Sequence, residues 1–112
     1  MVDVIGKLRH QISLLKPIII KDELGQEVEK LEVQKTIWVS IEPLSGKEYF
    51  SAKQVNSEAT VKITIRYIES LLPHWVVQFG QRIFNIEAII NLEERNRYLQ
   101  LLCSEKVGET ND

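Results

Sequence analysis

The stretch Thr36-Ile37-Trp38-Val39-Ser40-Ile41-Glu42-Pro43-Leu44-Ser45-Gly46-Lys47-Glu48-Tyr49-Phe50 changes period once, at Pro43, and that change sets the fold class. Before Pro43 the period is two. Ile37, Val39 and Ile41 face one way, and Thr36, Trp38, Ser40 and Glu42 the other, as in a strand with one apolar face. Pro43 has no N–H to give to a ladder and stops the strand. After it, Ser45-Gly46-Lys47-Glu48 has capping-box spacing, with Ser45 as N-cap and Glu48 reaching back from the third helical position. Leu44 and Tyr49 occupy the two positions of a hydrophobic staple. The spacing predicts a short helix from Gly46 to about Val55. Gly46 and Ser51 lower its intrinsic stability, so it must lean on its neighbours.

Upstream, Leu8, His10, Ile12 and Leu14 alternate with Arg9, Gln11 and Ser13, which reads as a first strand. Pro17 ends it or places it at a sheet edge, with Ile18 to Ile20 extending it beyond. Lys21 to Gln26 is a charged turn containing a glycine, hence a hairpin connection. Glu27 to Val33, with Val28, Leu31 and Val33 spaced among charges, reads as a short, exposed return strand. Downstream, Thr60 to Tyr67 has the cleanest alternation. Val61, Ile63, Ile65 and Tyr67 face inward, and Thr60, Lys62, Thr64 and Arg66 outward. Ser70 to His74, with Pro73, is a turn, and Trp75 to Phe79 a strand. Gly80-Gln81 turns the chain into Arg82 to Asn91. There Phe84, Ile86, Ala88 and Ile90 alternate with Ile83, Asn85, Glu87 and Ile89. Both sets are largely apolar, which predicts a strand covered on both sides. Leu92 to Asn96 is a charged turn. Tyr98 to Cys103 is the last strand, with Leu99, Leu101 and Cys103 on one face. The expected fold is all-β: a small antiparallel β-barrel or sandwich of about six strands with one short helical insertion. Closing the sheet would hide its edges. The length of 112 residues supports one domain, over 1–105, with a polar and disordered tail at 106–112.

Apolar residues make up 44% and charged residues 27%, an ordinary globular mixture. No apolar run approaches the about 20 residues of a spanning helix, and the start lacks a secretory pattern. The single cysteine, Cys103, makes no internal disulfide, which fits synthesis in a reducing cytosol. Lys and Arg number 14 against 16 Asp and Glu, for a formal net charge of −2. That balance disfavours DNA binding through phosphate contacts, which calls for a basic excess or stripe. His10, His74 and Cys103 fit no zinc-ligand spacing, so no metal and no cofactor is expected. Cys103 sits in a run of leucines and reads as an inert buried thiol. Ser45 lacks the frame of a nucleophile elbow, and capping accounts for it. Glu93-Glu94-Arg95 is a solvated corner. The five glycines are scattered and form no phosphate loop. No catalytic constellation emerges, so the chain is not expected to be an enzyme. Trp38 lies opposite the aliphatic face of its strand. Either that strand is covered on both faces, the ordinary core arrangement, or Trp38 anchors a partner surface. Trp75 is open to the same two readings. Base stacking would need aromatics interleaved with basic residues, and Lys62, Thr64 and Arg66 share a face without one.

The segment Trp38 to Phe50 resembles the central motif of the phage head–tail adaptor family, also called head–tail joining or head-closure (stopper) proteins. Other pieces follow in that family's order and spacing. Ile5-Gly6-Lys7-Leu8-Arg9-His10-Gln11-Ile12 is similar to its start, and Lys21-Asp22-Glu23-Leu24-Gly25 to its first turn. Ile63-Thr64-Ile65-Arg66-Tyr67, then Phe79 through Glu87, then Glu93-Glu94-Arg95 through Cys103 complete the series, from about Ile5 to Glu105. The departures are Gln81 for a usual second glycine, Asn91-Leu92 for a typical Asp-Pro turn, and Ile68-Glu69 without the usual basic residue. The resemblance implies a small β-barrel that assembles as a homo-oligomeric ring in the connector below the portal. There it would join head to tail and help retain packaged DNA. Its partners would be copies of itself, the portal or an adaptor protein, a tail-proximal connector protein, and packaged DNA without sequence-specific binding. It would reside in the virion, of a phage or prophage, after synthesis in the bacterial cytoplasm, with no membrane involved. An insertion in a compact barrel is often functional, so contacts or gating are expected in Leu44 to Glu58. The candidates are Leu44, Ser45, Gly46, Lys47, Glu48, Tyr49 and Phe50, with Trp38 beside them. The plainer reading is that this segment caps one end of the barrel. Val2 to Arg9 and Glu105 to Asp112 are further docking candidates. The functional alternative is a monomeric small-barrel module that binds single-stranded nucleic acid or a peptide.

Overall fold

Six antiparallel strands close on themselves in the order β1-β2-β3-β6-β5-β4 in the computed structural model, which describes residues 8–55 and 57–106. They are β1 (His10–Lys21), β2 (Glu27–Pro43), β3 (Val61–Arg66), β4 (Val76–Phe79), β5 (Arg82–Asn91) and β6 (Tyr98–Lys106), with one helix, α1 (Gly46–Gln54), between β2 and β3. The inward positions of each strand fill the barrel. Ile12, Leu14, Val39, Ile63, Ile65, Val77, Phe84, Leu101 and Cys103 are all but fully enclosed. Alternation along each strand accounts for this core, because every second side chain faces the barrel axis.

Two boundaries differ from the sequence reading, and one that it left open is decided. Of the two readings of Pro17, the sheet edge holds: β1 runs through it to Lys21, and Pro17 pairs with Leu31. Pro17 lies beyond the reach of β4, which pairs with β1 only at Ser13, Leu14 and Leu15. Its missing N–H therefore falls where no third strand among the described residues needs it. Glu27 to Val33 is not a separate short strand but the first half of the 17-residue β2. β6 continues past Cys103 to Lys106, which pairs with Ile83. Lys106 thus belongs to the sheet, and the remainder of the expected tail lies outside the described residues, as does Met1 to Lys7. Thr64, on the outward side between the enclosed Ile63 and Ile65, is nevertheless buried, and Tyr67, one residue past the end of β3, is exposed.

The double apolar pattern of β5 has a different cause from the one expected. The register shifts between Ile86, opposite Cys103, and Ala88, opposite Leu102, leaving Glu87 as the extra residue of a β-bulge. The bulge exchanges the two faces. Phe84 and Ile86 point inward before it; after it Ile89 packs on the core and Ile90 is exposed. Ser104 Oγ donates to Glu87 Oε2 at 2.7 Å, which holds the bulged residue in place.

β1 and β2 pair from His10 opposite Val39 to Lys21 opposite Glu27. On its other side β2 meets β3 only at Ser40 to Pro43. Beyond those contacts the hairpin leaves the barrel as a two-stranded arm. A register shift marks its base, where Leu14 faces Lys35 and Leu15 faces Val33. The molecule accordingly measures 55 × 27 × 23 Å, with a radius of gyration of 15.3 Å; a compact domain of this length has about 13 Å. At the tip, Asp22 Oδ1 accepts from the N–H groups of Leu24 and Gln26, both at 2.9 Å. Gly25 takes φ 82°, the left-handed position of a three-residue hairpin loop.

Candidate assembly surface

Ser45 and Glu48 form the expected capping box. Glu48 N–H donates to Ser45 Oγ at 3.2 Å, and Ser45 N–H donates to Glu48 Oε1 at 2.8 Å. The other oxygen of Glu48 accepts from Lys62 Nζ of β3 at 2.7 Å. One carboxylate thus caps the helix and moors it to the barrel. These bonds, that to Lys62 above all, lower the Glu48 carboxyl from 4.5 to about 2. A depressed value means that the ionised group stabilises the fold fully above the unfolded pKa. The contribution is lost as pH falls from about 4.5 through about 2. Melting curves of the parent and of Glu48→Gln are therefore expected to differ at pH 7 and to converge by pH 2. The pair is partly exposed, so 1 M salt is expected to narrow the gap at pH 7.

Apart from Ala52, α1 buries no side chain. Phe50 is 67% exposed, and Tyr49 is also exposed. The two rings meet edge to face, with centroids 6.0 Å apart, and Lys53 Nζ lies 5.5 Å above the Tyr49 ring. Between the helix and the outer face of β5 and β6 runs an open cleft of about 560 Å³. Leu44, Ala52 and Val55 line one side of it, and Ala88, Ile90 and Leu102 the other. The segment thus forms one side of a groove along the outer wall. The sequence pointed to the helix but not to the groove, whose strand side depends on the face exchange at Glu87.

Trp38 is not a core residue. It pairs with Gln11 on the outer face of the β1–β2 ladder and is 56% exposed. Thr36, Val33 and Leu31 follow it along the same face, opposite Ser13, Leu15 and Pro17. Val33 and Leu31 are exposed as well, as is Ile19 further along β1. An apolar strip thus runs from the barrel wall onto the arm, and sequence reasoning missed it. Leu31 and Val33 were legible as apolar residues spaced among charges, but nothing in them told that this part of β2 would have no neighbour but β1 among the described residues. Trp75, in contrast, lies in the core. His10 stacks edge to face on Phe79, with centroids 5.3 Å apart.

Among the described residues there is no cluster of histidine, cysteine, aspartate or glutamate that could hold a metal. Cys103 is fully enclosed, and burial, then the charge of Glu87, pushes its thiol to about 12. The native chain is expected to resist alkylation at pH 8, reacting only on unfolding in denaturant; labelling followed by mass spectrometry checks this.

Comparison with known proteins bears on this geometry. Residues 4–106 match a family model described as phage head completion protein. A protein from Shigella flexneri 2a with a known solution structure superposes with a TM-score of 0.77 at 27% identity, covering 94% of this chain and 98% of its own. A chain of the virion of a native gene transfer agent particle has the same fold, with a TM-score of 0.57 at 18% identity, covering 90% of this chain and 97% of its own. No curated protein matches significantly.

Proposed function

Because this chain belongs to the phage head completion protein family, a family of structural proteins, we propose that it is a subunit of the head–tail connector, repeated as a ring below the portal. The family match over nearly the whole chain carries this reading. In it, the ring sits between the portal, or an adaptor protein on it, and a tail-proximal connector protein. It joins head to tail and helps retain packaged DNA. Two structural features support an assembled state. The arm and the strip from Trp38 to Leu31 leave large apolar side chains in water, as a surface awaiting a partner does. The near-neutral charge suits a channel through which DNA must pass, since each phosphate contact would add salt-dependent drag. Contacts with neighbours are assigned to Leu44 to Phe50 and Trp38. In the first of these, Tyr49 and Phe50 are the outward anchors, while Ser45 and Glu48 hold the helix in shape.

The test is deletion of the gene in a producing strain. The expected result is DNA-filled heads that lack tails and lose their DNA, with the protein present in several copies per particle in the parent. Tailed, infectious particles formed without it, or its absence from purified parental particles, would overturn the reading. Tight oligonucleotide binding by a monomer that never enters particles would favour a nucleic-acid module instead.

A further inference from the structure

The arm leaves two backbone edges open. Among the described residues, β1 has no neighbour but β2 from Lys16 to Lys21, and β2 has none but β1 from Glu27 to Val39. An isolated two-stranded ribbon is marginal in water, and an open edge rich in aliphatic residues invites another strand. The two edges differ in charge. The β1 side of the arm, Lys16-Pro17-Ile18-Ile19-Ile20-Lys21, carries two lysines and no acid. The β2 side, Glu27 to Val33, carries Glu27, Glu29 and Glu32 against Lys30. Lys16 faces Glu32 and Lys21 faces Glu27 across the ribbon, yet none of these residues forms an ion pair within 4 Å among the described residues.

We infer that, in the assembled ring, the basic β1 edge of one copy's arm pairs with the acidic β2 edge of the next copy's arm. The inference rests on the ring reading above. The charges choose among the possible pairings. Two copies joined β1 to β1 would set lysines against lysines, and β2 to β2 would set glutamates against glutamates. Either of those contacts is isologous and stops at a dimer. The pairing of β1 to β2 is heterologous, repeats from copy to copy, and closes into a ring. Arms that point the same way around the ring axis meet antiparallel, so each ribbon adds two strands to one continuous sheet. Pro17 fits this arrangement. It has no N–H, and its pairing with Leu31 is uninterrupted, so at positions 17, 19 and 21 the backbone faces the open edge. Ile19 and Lys21 then offer the free donors.

The experiment uses full-length variants expressed in a strain deleted for the gene, with incorporation read in purified particles. Ile19→Pro removes an outward donor without touching the bonds to β2, and Ile19→Val is its control. Ile19→Pro is expected to lower incorporation at least about tenfold with the barrel still folded by circular dichroism, since edge pairing is directional; Ile19→Val stays near the parent. Lys16→Glu with Lys21→Glu makes both edges acidic, and Glu27→Lys, Glu29→Lys with Glu32→Lys makes both basic. Each set alone is expected to lose incorporation at least about tenfold, because like charges across an interface repel strongly. Co-expressed, the two sets are expected to recover together, alternating around the ring. Parental incorporation of Ile19→Pro, or failure of the co-expressed sets to recover while Ile19→Val incorporates, overturns the arm pairing and leaves the ring reading standing. Absence of the parental chain from particles overturns both.

Discussion

Replacing Phe84 with alanine is expected to destabilise the barrel by about 3–5 kcal/mol, the usual cost of a phenylalanine cavity in a close-packed core. Phe84 is fully enclosed at the start of β5, opposite Val77 on β4 and Glu105 on β6. It therefore packs where two ladders meet, with little freedom for neighbours to collapse into the space. The Arg82 guanidinium lies 5.0 Å from the ring centroid, and Arg82 is in turn paired with Glu105 through two 2.9 Å bonds. Losing the ring removes the surface on which that pair rests. Against a total stability of about 5–15 kcal/mol for a small domain, such a loss is a large fraction. Thermal denaturation should register it as a midpoint lowered by at least about 10 °C. A loss under about 1 kcal/mol would mean that the site repacks, contrary to its enclosure.

Trp38→Ala should behave in the opposite way. The ring stands more than half out of the outer wall, so folding stability is expected to change by no more than about 0.5 kcal/mol. Assembly is expected to weaken by about 2 kcal/mol or more, roughly 30-fold, as when an aromatic anchor is removed from an interface. Incorporation into particles, measured beside the melting temperature, separates the two effects. A melt lowered by several degrees with incorporation unchanged would make Trp38 a packing residue.

The contrast between these residues marks what the sequence made legible. Period-two alternation placed Ile63 and Ile65 on an inward face and Leu99, Leu101 and Cys103 together on one face, because local backbone geometry alone decides that. The capping box at Ser45 and Glu48 was readable for the same reason, since its partners are three residues apart. Three features were not readable, and each depends on distant parts of the chain. Trp38 alternates alike in a doubly covered strand and in one with an open outer face, and only the lack of a covering layer among the described residues decides for the second. In β5 a covered strand and a bulged one give the same apolar string, and pairing with β6 decides between them. Pro17 left strand end and sheet edge both open, because the residue gives no sign that its strand would lack a third partner there among the described residues. The helix of the candidate site was therefore visible in the sequence, but not the groove beside it, nor the arm.

The closure of the barrel has a mechanical consequence. β1 and β4 are joined over only three residue pairs, Ser13 to Leu15 against Gln78 to Val76. That seam is the narrowest ladder in the wall, and it links segments far apart in the chain, whose joining is delayed by the entropy of closing so long a loop. The strand that forms the seam is also the strand that runs out into the arm. A pull on the arm is thus carried along β1 directly into the weakest line of the wall. Tension between copies would be felt there first, as a lengthwise opening of the cylinder, before any other ladder yields.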